Sequence, residues 1–360
     1  MAKTGSILLN LVDLAPQKTE DIIKFFDDTD KILQAQGPEF KSIASLDEKD
    51  IEKILQVRDS GSLEKELKLI EKEKINVIDI FDVDYPNILK EISRPPLVLY
   101  VKGNIAALNK FLFAVVGTRL PTLYGISMAE EFSYKLASLG ITVVSGLARG
   151  IDTAAHKAAL RNGETVAVLG SGLLNIYPRE NIRLAGQICS QGALISEFPL
   201  GTPPLKENFP RRNRIVSGLS HGVLVVEAAA KSGALITARL AMEQNREVFA
   251  LPGNADSPLS KGGHSLIKDG AKLVDSIEDI IEELNIDFKK EDGGQTINID
   301  KDERIVFDTI CSSGTYIEEI MRQTKLTPAT INKIILGLQL KGLIKEAAPS
   351  RFIKTPVGRE

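Results

Sequence analysis

The side chains best suited to chemistry lie close together in residues 206–214, which read KENFPRRNR. Four cations fall within these nine residues: Lys206, Arg211, Arg212 and Arg214. Phe209 lies among them. The planar guanidinium of arginine suits phosphate, and an aromatic ring offers a base a surface for stacking. This stretch therefore predicts a loop that binds a nucleic-acid backbone, rather than a catalytic centre.

A solvated charged loop is the alternative for any basic cluster. Two features argue against it here, because the cations are mostly arginine and because Phe209 lies in polar surroundings where a core aromatic is less expected. The apolar run Val223–Val226 follows shortly afterwards and predicts a buried strand that would anchor the loop.

Composition places this cluster in an ordinary globular chain. The 360 residues are 43% hydrophobic and 26% charged, and the net charge is −3, so attraction for an anionic polymer must come from a local patch. Cys189 and Cys311 lack metal-ligand spacing, and we expect reduced cysteines and a cytoplasmic location. We find no signal peptide and no apolar run of about 18 residues, which predicts no contact with membranes.

Seven short apolar runs predict strands: Leu97–Val101, Phe113–Val116, Ile141–Val144, Thr165–Leu169, Ala193–Ile195, Val223–Val226 and Glu247–Leu251. Amphipathic segments predict helices between them: Gly125–Leu139, Ile151–Arg161, Arg179–Ser190 and Ala234–Gln244. Apolar strands that alternate with helices are typical of an α/β fold with a parallel, doubly wound sheet. We expect this core at residues 81–286, after a helical module at 1–80.

Residues 287–301 are polar and contain glycines, which predicts a linker. The remaining residues, 302–360, show three helical segments followed by a short hairpin, the pattern of a winged-helix domain. This unit is mildly basic, but its third helix carries only Lys333 and Lys341. Contact with DNA and contact with protein both stay open for it.

Ligands of open α/β sheets bind beyond the carboxyl ends of the strands. Small or cationic residues occupy that position after three predicted strands: Gly117, Thr118 and Arg119, then Ser145 and Gly146, then Gly170. Backbone N–H groups beside small residues can approach an anion closely. Together with the basic loop, they predict a site for a string of phosphates. Asp152 and Glu227 could hold a ribose or transfer protons, or instead orient backbone N–H groups.

Sequence motifs for other kinds of chemistry are incomplete or lie in the wrong structural context. The G-x-G at 170–172 lacks its third glycine, and there is no phosphate-binding loop of the ATPase type. Residues 218–222 match G-x-S-x-G, but a helical pattern precedes them and a strand follows, the reverse of a nucleophile elbow. His156, His221 and His264 lack metal-ligand spacing. We therefore expect no enzyme activity, no cofactor and no metal.

Several motifs recur in one order between about residues 97 and 275. They are GTR, SGLARGIDTAAH, GSGLLNIYPREN, ISEFP, FPRRNRIVSGLS, VVEAAAKSGALITA, ALPGN and LIKDGA. In this order they resemble the DNA-processing protein A (DprA/Smf) family. The resemblance implies an extended Rossmann-like core, no catalytic activity, and a recombination mediator of natural transformation that binds and protects incoming single-stranded DNA and helps to load the RecA recombinase.

The resemblance also implies roles for individual residues. Arg119 matches the DNA-contacting arginine of the family's G-[ST]-R turn, and Lys206 and Phe209 match its lysine and phenylalanine ahead of R-N-R. The implied partners are a second copy of the chain, RecA and a single-strand-binding protein. The implied dimer contact involves His264, Leu266 and Ile267, although the family most often has asparagine where this chain has His264.

From this we expect phosphates to be neutralised by five cations: Arg119, Lys206, Arg211, Arg212 and Arg214. Arg214 could instead brace Glu197 or Glu227. We expect backbone access at Gly117, Gly146 and Gly170, and a base stacked on Phe209. Two rival functions are a Rossmann-like hydrolase of nucleoside monophosphates and a winged-helix regulator that binds duplex DNA.

Overall fold

The computed structural model describes residues 4–286, 299–311 and 314–355. The N-terminal part contains five helices: α1 (Thr4–Val12), α2 (Pro16–Phe26), α3 (Gly37–Lys41), α4 (Glu48–Asp59) and α5 (Ser62–Glu73). Their apolar faces meet in one cluster around Leu8, Ile22 and Phe40. At the start of α4, the Asp47 side chain accepts from the Asp50 N–H at 2.9 Å, which satisfies a free donor of the first turn.

The large sheet contains nine strands: β1 (Asn76–Asp79), β2 (Val98–Gly103), β3 (Leu112–Val116), β4 (Thr142–Ser145), β5 (Thr165–Val168), β6 (Ala193–Ser196), β7 (Gly222–Val225), β8 (Glu247–Ala250) and β9 (Lys272–Leu273). Their order across the sheet is β1-β2-β6-β5-β4-β3-β7-β8-β9. The seven strands from β3 to β9 are parallel. The predicted α/β class with a large, mostly parallel sheet is confirmed.

Two strands correct the sequence prediction. The run predicted at Leu97–Val101 forms β2, which pairs antiparallel with β6. The segment Asn76–Asp79 lies within the predicted helical module at residues 1–80, but it forms β1, which pairs antiparallel with β2. This edge strand is short and partly exposed, so its residues lack the apolar run that identified the others.

Helices cover both faces of the sheet. They are α6 (Asn87–Lys90), α7 (Leu123–Ser138), α8 (Ile151–Ala159), α9 (Ile182–Gln191), α10 (Asn208–Gly218), α11 (Ala234–Glu243), α12 (Lys261–Lys268) and α13 (Ile277–Glu283). Successive residues of β3 enter opposite cores: Ala114 and Val116 join one cluster, while Phe113 and Val115 join the other. Burial on both faces explains the continuous apolar run of this strand.

The C-terminal part contains α14 (Lys301–Thr309), α15 (Ile317–Thr324) and α16 (Pro328–Leu340), with a small sheet of β10 (Thr315–Tyr316), β11 (Ile344–Ala348) and β12 (Arg351–Lys354). The three predicted helices and the hairpin are therefore present. Their assignment as a winged helix stays a prediction. Lys345 of this part forms an ion pair with Glu130 of α7. The predicted linker lies mostly outside the described residues, and its last residue, Lys301, already begins α14.

The chain direction across the sheet reverses beside β3. The chain proceeds from β3 outward to β6 and then returns to form β7 on the other side of β3. The carboxyl ends beside such a switch point diverge and leave a crevice between their loops. Residues 117–119 follow β3 at this point.

Candidate nucleic-acid interface

A cleft of about 710 Å³ lies at the carboxyl edge beside β3. Arg119, Lys206 and Phe209 all line it, although they come from separate segments of the chain. Arg119 and Lys206 are exposed, and Phe209 is half-buried. The switch point thus combines two accessible cations with an aromatic ring. We refer to this cleft as the main cleft.

Phe209 lies in the first turn of α10, which corrects the prediction that the cations and their aromatic residue share a loop. The guanidinium carbon of Arg119 is 5.6 Å from the centre of the Phe209 ring. The centre of the Tyr177 ring is 5.7 Å from the centre of the same Phe209 ring. Gly170 leaves space for the ring, since a Cβ at this position would lie 2.8 Å from Phe209 Cδ1. Gly170 therefore packs against Phe209, and its role in backbone access to phosphate stays a prediction.

Arg212 is the main correction among the predicted phosphate ligands. Its residue surface is 5% exposed, and its guanidinium donates to the carbonyl oxygens of Gly146, at 2.6 Å, and Val168. Burial lowers the pKa of Arg212 to about 10, while the carboxylate of Asp152 opposes that change. The group stays charged at neutral pH but is committed to the protein's own backbone. It lies in the wall of the main cleft and supports the loop after β4.

The loop after β4 also differs from its predicted role. A Cβ on Gly146 would lie 2.5 Å from the guanidinium nitrogens of Arg212, so glycine here admits the buried arginine. The Gly146 N–H donates to Asp152 at 3.1 Å and is therefore used internally. Ser145 is buried, and its hydroxyl donates to the Val115 carbonyl at 2.7 Å. Neither residue offers a free donor to a phosphate.

The other two arginines of α10 converge on one buried carboxylate. Arg214 forms an ion pair with Glu197, which confirms the alternative that this arginine braces a glutamate. Arg211 lies 3.5 Å from Glu197 and 3.0 Å from Asp13 of the N-terminal part. Burial raises the pKa of Glu197, and these two arginines counteract the rise. Both charges are thus compensated within the protein.

The two carboxylates in the edge loops orient backbone groups. Asp152 accepts from the N–H groups of Gly146 and Ala148 at 3.1 and 3.3 Å. Glu227 accepts from the Thr122 N–H at 2.9 Å and from its hydroxyl at 2.5 Å, and so stabilises the start of α7. Glu227 lines a second cleft, of about 630 Å³, together with Arg351. The Thr118 N–H donates to the Glu227 carbonyl at 2.8 Å, which anchors the turn that carries Arg119.

His156 is fully buried below these loops. Its Nδ1 lies 2.7 Å from the Thr165 hydroxyl, and that hydroxyl donates to the Val143 carbonyl at 2.6 Å. Nδ1 must therefore donate the proton, and the buried Nε2 has no hydrogen-bond partner among the residues that the structure describes. Burial, with a smaller contribution from the Arg212 charge, lowers the pKa of His156 to about 3.

This histidine makes the stability of the fold depend on pH. The pKa of His156 lies below its ordinary value of 6.5. The stabilisation that the neutral side chain contributes to the fold is therefore complete above about pH 6.5 and is lost as the pH falls towards 3. Between about pH 7 and about pH 5 we expect a loss of about 2 kcal/mol in unfolding free energy. Denaturant titrations of the wild type and His156→Gln test this. Equal pH slopes for the two proteins would contradict it.

The residues predicted for a dimer contact lie on α12. Leu266 is buried in the core, so its side chain does not reach the surface. Ile267 packs partly against the same core, and His264 Nε2 lies 3.0 Å from the Gly253 carbonyl. The packing of Leu266 corrects its predicted role as a contact residue, and a dimer contact near α12 stays a prediction.

The structure also shows where the G-x-S-x-G match and the candidate metal ligands lie. Ser220 lies between α10 and β7, is fully buried, and donates to the Val216 carbonyl at 2.8 Å, which is not the geometry of an exposed nucleophile. Within residues 4–286, 299–311 and 314–355, no group of three or more His, Cys, Asp or Glu side chains is arranged to hold a metal ion. No helix in the same ranges is long and apolar enough to cross a membrane.

Sequence reasoning did not assign Tyr177 or Thr237 to the main cleft. Tyr177 lies beside Phe209, and Thr237 of α11 lines the cleft together with Ser232 and Gly233, which directly precede that helix. Tyr177 lies in the motif GSGLLNIYPREN, but its position beside Phe209 depends on how the loop before α9 packs against the first turn of α10. An exposed aromatic residue after a predicted strand is the signal that could have identified it.

The fold and the site define a Rossmann-like protein whose switch-point cleft combines exposed cations with an aromatic ring. The sequence model of the family described as DNA recombination-mediator protein A matches residues 76–285. The chain therefore belongs to this family, and the resemblance drawn from its motifs is confirmed.

Relatives support this placement. Protein Smf of Escherichia coli (strain K12) is 53% identical over 225 residues, which cover 62% of this chain and 60% of that protein. DNA processing protein DprA of Bacillus subtilis (strain 168) is 46% identical over 224 residues, or 62% of this chain and 75% of that protein. The match to the Escherichia coli relative thus spans about three fifths of that relative's length.

Two solved structures resemble this chain. The X-ray structure of DNA processing protein A from Streptococcus pneumoniae has a TM-score of 0.70 at 37% identity, covering 80% of this chain and 99% of that chain. DNA processing protein A from Helicobacter pylori, solved in work on its single-stranded DNA binding mode, has a TM-score of 0.55 at 30% identity. That match covers 60% of this chain and 98% of the Helicobacter pylori chain.

Proposed function

We propose that this protein is a single-stranded DNA-binding recombination mediator that protects incoming DNA during natural transformation and helps to load RecA. The observation that carries the DNA-binding part is the arrangement of Arg119, Lys206 and Phe209 around one cleft. The guanidinium of Arg119 lies over the Phe209 ring. A phosphate-binding group and a stacking group are therefore adjacent, as the phosphate and base of a nucleotide are.

The shape of the site favours a single strand over a duplex. A base must leave its stack to reach the half-buried Phe209 ring, and only unpaired bases do so at low cost. The family membership and the Helicobacter pylori structure support the same ligand. RecA, a second copy of the chain and a single-strand-binding protein are the proposed partners, and the cytoplasm is the proposed location.

Competition binding tests the proposed function against its rivals. Fluorescent oligo-dT is bound by the full chain and challenged with unlabelled oligo-dT, duplex DNA or AMP. We expect oligo-dT to compete strongly, duplex weakly and AMP not at all. Preference for one duplex sequence would support a winged-helix regulator. Strong competition and hydrolysis of AMP would support the enzyme, although Glu227 lines the second cleft and Arg119 lines the main cleft.

The stacking role of Phe209 gives a separate prediction. Phe209→Ala should weaken oligo-dT binding at least fivefold, since stacking contributes about 1–3 kcal/mol per base. The dependence on salt should not change, because no charge is removed. Phe25→Ala, which alters an exposed ring of α2, serves as the matched control and should bind as the wild type does. A lowered salt slope in Phe209→Ala would show that the ring acts by positioning Arg119.

A further inference from the structure

Tyr177 presents an exposed aromatic ring in the wall of the main cleft. The residue is 43% exposed although it lies in a loop between β5 and α9. Its hydroxyl makes no hydrogen bond within the part of the chain that the structure describes. An exposed ring on the wall of the main cleft is available to a ligand.

The loop that carries Tyr177 is anchored by hydrogen bonds on both sides of this residue. On its N-terminal side, the Ser171 hydroxyl donates to the Asn175 carbonyl at 2.7 Å. On its C-terminal side, the Asn181 amide donates to the Leu147 carbonyl at 2.9 Å. Glu180 accepts two hydrogen bonds from Arg149, at 2.8 and 2.7 Å. The ring is therefore positioned before any ligand binds, which reduces the entropy lost on binding.

The geometry relative to Phe209 determines how a strand could use this ring. The two ring centres are 5.7 Å apart and the rings are tilted by 52°, which is a direct aromatic contact. A base cannot enter between two rings that already touch. Each ring can offer only a side that faces away from the other, so the two rings suit different bases of one strand.

We propose that Tyr177 is a second stacking platform, which holds the base of a nucleotide next to the one on Phe209. The inference rests on the proposed binding of single-stranded DNA and deepens it. Arg119 lines the same recess as both rings, where it can bind the phosphate that joins the two nucleotides. Two platforms on one wall fix the spacing of successive bases, so the cleft selects an extended, unstacked strand.

Fluorescence tests whether a base contacts the side chain at position 177 while an aromatic ring is kept there. The chain has no tryptophan, so Tyr177→Trp creates a single reporter at this position. We expect saturating oligo-dT to quench its emission. Ile182→Trp, at an exposed position on α9, is the matched control and should keep its emission. Unchanged emission of the Tyr177→Trp protein at saturation would overturn the proposal.

Affinity measurements separate this inference from the proposed function. Tyr177→Ala should weaken oligo-dT binding at least about fivefold, and the effect should vanish with an oligonucleotide that lacks bases. Tyr177→Phe should keep the wild-type affinity. If the wild type binds oligo-dT and Tyr177→Ala binds equally well, the second platform is wrong while the proposed function stands. If the wild type fails to bind single-stranded DNA, both are wrong.

Discussion

Replacing Arg119 and Lys206 together by alanine should weaken oligo-dT binding at least about a hundredfold, since each hydrogen bond to a charged group contributes about 1.5–3 kcal/mol. Both side chains are exposed on the main cleft, so their removal should leave the fold intact. A phosphate contact on a single strand contributes about 0.7 to the salt slope, and we expect the slope to fall by about 1.4.

Binding is measured between about 50 and 200 mM salt to obtain this slope. The matched control is Lys157→Ala combined with Arg161→Ala. These exposed cations lie in or just after the last turn of α8, which runs from the carboxyl edge of the sheet towards the opposite edge. The control removes the same charge from elsewhere on the protein and should keep most of the affinity. A wild-type slope in the Arg119/Lys206 variant would exclude these residues as phosphate ligands.

Arg212→Met should destabilise the protein by about 3–5 kcal/mol, because it removes a buried charge and leaves buried partners without compensation. The carbonyl oxygens of Gly146 and Val168 would lose their donor. The buried Asp152 carboxylate would lose the charge that opposes the rise in its pKa caused by burial. Chemical denaturation of the two proteins at neutral pH measures the difference.

Arg119→Met is the control for this second experiment, since it removes an exposed arginine from the same cleft. Its unfolding free energy should stay within about 0.5 kcal/mol of the wild type, but its salt slope should fall. The folded fraction of Arg212→Met should keep the wild-type slope. A stable Arg212→Met protein with a lowered slope would restore Arg212 as a phosphate ligand and refute the role given to it by its burial.

Among the cations of residues 206–214, the sequence could not distinguish ligands from structural charges. Neighbouring residues on a helix point about 100° apart, so Arg211 and Arg212 face different surroundings although they are adjacent in the chain. Arg212 turns towards the loop after β4. Arg211 and Arg214 face Glu197, which follows β6. These partners are distant in sequence, so the sequence could name Glu197 only as one of two possible partners of Arg214 and did not identify the partners of Arg211 and Arg212.

The positions of the predicted glycines show the same limit. A small residue after a strand is compatible with an anion outside the loop and with a side chain packed against it. At Gly146 and Gly170 the space is taken by Arg212 and Phe209. The choice between these outcomes depends on how closely two segments approach, which is a property of the assembled core.

The α/β class, most strands of the core and the family follow from the sequence alone, because apolar runs buried on both faces and ordered motifs are local features of the chain. The sequence also indicated Arg119, Lys206 and Phe209 as the residues to test. Tertiary structure decided that Arg212 is buried, that β1 and β2 run antiparallel, and that Tyr177 lies beside Phe209. Each of these depends on contacts between distant segments, whose energies are set only when the sheet and its loops assemble.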